Sequence, residues 1–104
     1  MRYFISIFFF LMVSTTAFGA MGDAVTYQVN GEAYEGYYIS PSSQAPLVVL
    51  IHDWDGLTDY EIKRAHMLAE MGYAVFAADL FGAGVRPTEV TDKRQHTGEL
   101  YKNR

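Results

Sequence analysis

Residues 47–79 read LVVLIHDWDGLTDYEIKRAHMLAEMGYAVFAAD, two apolar runs with a helical pattern between them. The apolar runs, residues 47–51 and 73–78, contain no polar alternation, which is typical of strands covered on both faces in a parallel sheet. A strand, a helix and a strand of these lengths predict a right-handed parallel crossover. We therefore expect residues 47–51 to form a central strand.

The sequence predicts two helices. The first begins at Thr58, because Thr58 and Glu61 have the spacing of a capping box, and ends at Gly72, where a left-handed residue is expected. A second, polar helix is predicted from Thr91 to about Asn103. The apolar stripe of the first helix is expected to face inward and comprises Ile62, Ala65, Leu68, Ala69 and Met71.

An antiparallel hairpin is predicted ahead of this unit. Residues 24–29 and 33–39 are β-branched and aromatic runs joined by Asn30 and Gly31, a pair suited to a tight turn with positive φ. Residues 41–46 carry two prolines and are predicted to be a surface connection. The expected fold class is α/β, an N-terminal hairpin followed by a parallel strand-helix-strand unit.

The beginning of the chain has the order of a secretory signal peptide. Arg2 precedes an apolar run over residues 3–13, and small residues follow at 17–20. The run is shorter than the about 20 apolar residues that a spanning helix needs. We expect a signal peptide over residues 1–19 and an exported mature chain, residues 20–104, that is periplasmic or secreted and has no membrane contact after cleavage. A retained membrane anchor is the open alternative.

Composition narrows the class of protein. The chain has 104 residues, no cysteine and a formal net charge of −4, which becomes one unit more negative when Arg2 is removed. Without a basic cluster, binding to nucleic acid is not expected. Without disulfides, stability depends on the core, and a segment of this length buries only about 60–65% of its unfolded surface. The sequence therefore predicts an unfinished domain.

Candidate site residues follow the two predicted parallel strands. Ligands approach the carboxyl ends of such strands, which draws attention to residues 52–56 and 79–82. His52 is expected to have a structural hydrogen-bonding role. His66 and His96 have no cysteine or second histidine at metal-ligand spacing, so neither a metal nor another cofactor is expected.

Three stretches in this order resemble the N-terminal half of the dienelactone hydrolases: residues 48–60, 65–73 and 77–82. The resemblance covers roughly residues 25–104 and is clearest over 47–82. It implies a partial α/β-hydrolase fold in which a cysteine or serine nucleophile, an acid and a histidine come later than this chain. The implied activity is hydrolysis of an ester or lactone bond in a small molecule, and the isolated chain is expected to be inactive.

The resemblance also implies roles for particular residues. Asp53 corresponds to a carboxylate that touches the resting nucleophile, and Trp54 to a residue whose backbone N–H helps form the oxyanion hole. The family usually has glutamate at Asp53, so a carboxylate that caps local N–H groups is the open alternative there. Arg86 is the nearby candidate for holding a substrate carboxylate, although it is out of the family's closest register. Asp79 is expected to cap a turn rather than to be the triad acid.

A different class of function is also compatible with the sequence. A non-catalytic, exported binding or interaction module would retain half of the fold without the chemistry. Such a module has to fold alone or with a partner, and cooperative urea unfolding of residues 20–104 would favour it.

Overall fold

The protein is described here from a computed structural model over residues 21–103, so the predicted signal peptide lies outside the described residues. The elements in chain order are β1 (Asp23–Val29), β2 (Glu32–Ile39), β3 (Leu47–Ile51), α1 (Asp59–Glu70), β4 (Ala74–Ala78) and α2 (Val90–Lys102). Within this part of the chain, no helix has the length and apolar character needed to cross a membrane.

The strands form one mixed sheet in the order β1-β2-β4-β3. β1 and β2 are antiparallel, β2 and β4 are antiparallel, and β3 pairs with β4 in parallel. The hairpin and the parallel strand pair are therefore confirmed. The prediction that residues 47–51 are a central strand is wrong for the described sheet, because β4 lies inside it and β3 lies at its edge.

The hairpin turn has the geometry that its sequence predicts. Asn30 and Gly31 both have positive φ, at 52° and 80°, which is the conformation of a type I′ turn. The turn fixes the register so that Tyr27 lies opposite Tyr34, and their rings stack with centroids 5.6 Å apart.

The capping box and the predicted ends of α1 are also confirmed. Thr58 accepts a hydrogen bond from the Tyr60 N–H at 3.3 Å, and the Thr58 N–H donates to the Glu61 carboxylate at 2.9 Å. Gly72 follows the C-cap with φ of 100°, a conformation that favours glycine over residues with a Cβ atom. Local signals thus set both ends of the helix.

The core lies between α1 and one face of the sheet. Ala65 and Ala69 of α1 are buried against Ile39 and Val75, and the small alanine side chains let the helix approach the strands closely. Ile62 and Leu68 are half-buried. The prediction that Met71 faces inward is wrong: Met71 is the C-cap residue and is 71% exposed.

The opposite face of the sheet is exposed along the edge strand β3. Leu47, Val49 and Ile51 of β3 alternate with more buried neighbours and are each more than half exposed. On the same face, Val49 lies beside Phe76 in the parallel register. The exposure does not extend across β4, because Ala74 and Ala78 on the same face are buried.

Candidate functional site

The two loops that follow β3 and β4 meet at one edge of the sheet. The last residues of these strands, Ile51 and Ala78, are register partners in the parallel pair. The loops that begin at His52 and Asp79 therefore start side by side, as the sequence predicts for a site at the carboxyl ends of parallel strands.

His52 links the two loops. Its Nε2 atom accepts a hydrogen bond from the Leu80 N–H at 3.0 Å, which leaves the proton on Nδ1, where it is donated to the Asp53 carbonyl oxygen at 2.6 Å. The ring is buried and its edge contacts Phe81, with centroids 4.6 Å apart. Both nitrogens are used, which agrees with the structural role expected from the sequence.

A tight turn follows His52 and carries the two residues singled out by the family resemblance. The Asp53 carboxylate accepts a hydrogen bond from the Asp55 N–H at 2.9 Å, and the Asp53 carbonyl accepts one from the Gly56 N–H at 3.1 Å. Gly56 has φ of 82°, and a Cβ atom there would lie 3.0 Å from the Val85 carbonyl oxygen. Because glycine has no Cβ atom, the turn can pack closely against the loop after β4 at this position.

Trp54 stands at the exposed tip of this turn. Its side chain is 44% exposed, and no described residue accepts a hydrogen bond from its backbone N–H. The Lys93 ammonium of α2 lies 5.3 Å from the centre of the indole ring and forms an ion pair with Asp55. The backbone N–H of Trp54 is therefore an unused donor. The turn that carries it is restrained by the Asp53 hydrogen bonds and by Lys93.

A small cleft lies beside the turn. It has a volume of about 220 Å³, and Trp54 forms part of its wall. Its lining comprises His52, Asp53, Trp54, Leu80, Phe81, Thr97 and Leu100. Leu80, Phe81 and Leu100 supply its apolar wall, and the turn and Thr97 supply its polar groups.

Asp79 caps the loop after β4, as predicted. The carboxylate is buried and accepts hydrogen bonds from the backbone N–H groups of Glu35, Phe81 and Gly82 at 3.0 to 3.1 Å. Its backbone is held by the Tyr27 hydroxyl, which donates to the Asp79 carbonyl at 2.6 Å and accepts from the Asp79 N–H at 2.9 Å. These bonds fix the loop that His52 contacts.

Burial raises the pKa of the Tyr27 hydroxyl above its ordinary value of 10.0, and the Asp79 charge adds to the rise. The folded state therefore holds this proton more tightly than the unfolded state does. The corresponding stability is complete below about pH 10 and is lost as the pH rises through the higher folded pKa.

Arg86 lies with Asp79 and does not line the cleft beside Trp54. One guanidinium nitrogen contacts the Asp79 carboxylate at 3.4 Å and donates to the carbonyls of Gly82 and Val85 at 3.0 and 2.8 Å. The other donates to the Glu35 carbonyl at 3.4 Å. The structure gives Arg86 a role in neutralising Asp79, and binding of substrate by Arg86 stays a prediction.

The two other histidines lie apart from each other. His66 on α1 shares a 2.6 Å hydrogen bond with the Tyr37 hydroxyl. The ring of His96 on α2 packs against Phe81 with ring centroids 5.4 Å apart, and its Nδ1 atom lies 3.9 Å from the Glu99 carboxylate. Over residues 21–103, no three side chains of the metal-ligating types come together.

Sequence reasoning missed Tyr27 and Lys93. Tyr27 contacts a residue 52 positions away, and Lys93 belongs to a helix whose sequence is mostly polar. The alternating pattern of β1 places the Tyr27 ring on one face of the strand, but it does not identify Asp79 as the partner of the hydroxyl. No sequence signal distinguished Lys93 from the other lysines.

The fold and this edge define a mixed α/β protein of the hydrolase type. Residues 34–104 match the model of the Dienelactone hydrolase family, and the chain belongs to that family. It is 33% identical over 86 residues to the "Putative carboxymethylenebutenolidase" of Aquifex aeolicus strain VF5, with 71% of this chain covered. It is 30% identical over 87 residues to "Protein usf" of Aquifex pyrophilus, with 81% covered.

Solved structures of similar fold include m3DLH, with a TM-score of 0.74 and 27% identity over 82% of this chain. A dienelactone hydrolase-like promiscuous phosphotriesterase P91 from metagenomic libraries aligns with a TM-score of 0.71 over 82% of this chain, at 24% identity. The chain spans 37% of each curated relative, 37% of m3DLH and 36% of the P91 structure.

Proposed function

We propose that this chain is part of a hydrolase acting on ester or lactone bonds of a small molecule, and that it supplies the oxyanion-hole side of the active site. The observation that carries the proposal is the unused backbone N–H of Trp54, held on a fixed turn at the carboxyl ends of β3 and β4. Family membership supports the class of reaction.

A fixed N–H donor suits the chemistry of acyl transfer. When a nucleophile attacks an ester carbonyl, negative charge develops on the oxygen, and a donor already in place stabilises it without reorganisation. The turn that carries Trp54 is bound to the loop after β4 through His52, and its own backbone is closed by Asp53. In this proposal the cleft beside the turn holds the reacting carbonyl.

The Asp53 carboxylate can take both roles that the sequence left open. One oxygen, Oδ1, accepts the Asp55 N–H, whereas the structure records no hydrogen bond from a described residue to Oδ2. The proposal assigns Oδ1 to holding the turn and Oδ2 to contact with the resting nucleophile. Aspartate is shorter than the glutamate usual in the family, and in this arrangement only its Oδ2 atom has to reach the nucleophile.

The nucleophile, the triad acid and the triad histidine are proposed to lie in polypeptide beyond these 104 residues. The sequence has no cysteine. Ser40, Ser42 and Ser43 lie in the connection that enters β3, at the other end of that strand from His52. Thr97 lines the cleft, but its hydroxyl donates to the Lys93 carbonyl within α2. The part of each curated relative that this chain does not span is long enough to hold the missing groups.

The test uses a hybrid enzyme, in which residues 21–104 of this chain replace the matched part of the Aquifex aeolicus relative. We expect the hybrid to hydrolyse a nitrophenyl ester, since the donor comes from this chain and the nucleophile from the relative. The isolated chain is expected to show no turnover above an unrelated protein, because an oxyanion donor alone lacks the nucleophile and base.

The unaltered relative, assayed with the same ester, is the matched control for the hybrid. A hybrid that folds, by circular dichroism and cooperative unfolding, yet hydrolyses no ester would contradict the proposal. Ester turnover by the isolated chain would contradict the assignment of the nucleophile to other polypeptide.

We also propose that the protein is exported to the periplasm or the medium, on the basis of the leader-like order of residues 1–19. Mass spectrometry of protein produced from its natural start is expected to find a mature N-terminus at Ala20 or Met21. A chain that keeps Met1 would rule export by this leader out.

A further inference from the structure

The second helix is attached to the candidate site by few contacts. α2 contains no fully buried residue. Its contacts with the site include the packing of the His96 ring against Phe81, at a tilt of 33°, and the approach of Lys93 to the turn that carries Trp54. The position of α2 over the cleft therefore depends on a small number of side chains.

Lys93 makes the closest of these contacts. Its side chain is only 17% exposed, which is low for a lysine, and its ammonium pairs with the Asp55 carboxylate. The Asp55 side chain is 42% exposed, so its carboxylate faces both solvent and the Lys93 ammonium. The same ammonium lies 5.3 Å from the Trp54 ring centre, within the range of a cation–π interaction.

We propose that Lys93 is a positioning residue, whose ammonium group joins α2 to both Asp55 and Trp54 and so fixes the turn that carries the oxyanion donor. This role rests on the hydrolase function proposed above. Asp55 and Trp54 are neighbours in the chain, and the Asp55 N–H is also the group that Asp53 binds. One cation therefore restrains the side chains on either side of the peptide bond after Trp54.

The proposal predicts that loss of the cation loosens Trp54 without unfolding the chain. Lys93→Met keeps the length of the side chain and removes its charge. Trp54 is the only tryptophan, so the fluorescence of the purified chain reports on this ring alone. We expect the equilibrium to shift about two- to fivefold toward a free indole ring, the loss that corresponds to an exposed cation–π contact, and emission at longer wavelength with stronger acrylamide quenching to report the shift.

Two further variants separate positioning from general stability. Lys102→Met removes the same charge from the exposed end of the same helix and is expected to leave the Trp54 spectrum unchanged. Lys93→Arg keeps a cation that can pair with a carboxylate and stack on an indole, and is expected to restore the original quenching. Far-UV circular dichroism establishes that each variant keeps the secondary structure of the unchanged chain.

Equal Trp54 quenching in Lys93→Met and Lys102→Met would overturn the proposal. If Lys93→Met does not fold, Asp55→Asn takes its place, because it removes the ion pair and leaves the cation near the ring. A rise in quenching smaller than that expected for Lys93→Met supports the proposal, and no rise overturns it. None of these measurements needs ester turnover, so failure of the contact between Lys93 and Trp54 is distinguished from failure of the hydrolase function.

Discussion

Replacing Asp79 by alanine in the hybrid enzyme is expected to lower the free energy of unfolding by about 3–5 kcal/mol, the usual cost of breaking a buried and hydrogen-bonded charge pair. The carboxylate accepts three backbone N–H groups, from Glu35, Phe81 and Gly82, and neutralises Arg86. Alanine would leave the buried Gly82 N–H without its acceptor, at a cost of about 1–3 kcal/mol, and the half-buried bonds from Glu35 and Phe81 would be lost as well. The loop that His52 contacts would lose its main attachment.

Urea unfolding followed by circular dichroism measures this loss. Asp59→Ala is the matched control, because Asp59 is an exposed aspartate in the first turn of α1 and contributes only about 0.3–1 kcal/mol through the helix dipole. Equal destabilisation by the two substitutions would show that Asp79 does not hold the loop.

Local sequence signals predicted most of the fold. Asn30 and Gly31 specify a turn whose backbone angles few other pairs adopt, and Thr58 and Glu61 specify the start of α1. Each of these signals depends on residues only a few positions apart, so tertiary context does not alter them. The parallel pairing of β3 and β4 followed from the helix between them.

The position of β3 could not be predicted in the same way. Residues 47–51 are apolar at every position. This composition is the same for a strand at the edge of the described sheet as for one in its centre, so it does not distinguish the two positions. Met71 was misplaced for a related reason: it continues the spacing of the apolar stripe, but the helix ends at Glu70 and the chain turns at Gly72.

The candidate site was only partly predictable. The carboxyl ends of the parallel strands and the residues around Trp54 followed from topology and from the family resemblance. The residues that hold the site in place could not be predicted in this way, because Tyr27 contacts Asp79 across the sheet and Lys93 contacts Trp54 from α2. Arg86 illustrates the difficulty: it was considered as a substrate ligand, yet a buried carboxylate seven residues earlier needs a counter-charge.

Removal of the Trp54 backbone N–H is expected to have the largest effect on catalysis. Trp54→Pro in the hybrid enzyme deletes this donor, and loss of one oxyanion-hole donor lowers kcat by about 10²–10³-fold. Trp54→Ala removes the indole and keeps the N–H, so its kcat is expected to stay far closer to that of the unchanged hybrid. Both variants lose the side-chain contact with Lys93, which makes them a matched pair.

The kcat ratio of these two hybrid variants, with each confirmed as folded by its urea midpoint, tests the role of the turn most directly. A donor that stabilises the transition state lowers kcat more than it raises KM. The account predicts that Trp54→Pro is slower than Trp54→Ala by about 10²-fold or more. Equal kcat values for the two folded variants would contradict it, because they would show that the ester carbonyl oxygen does not bind the Trp54 N–H.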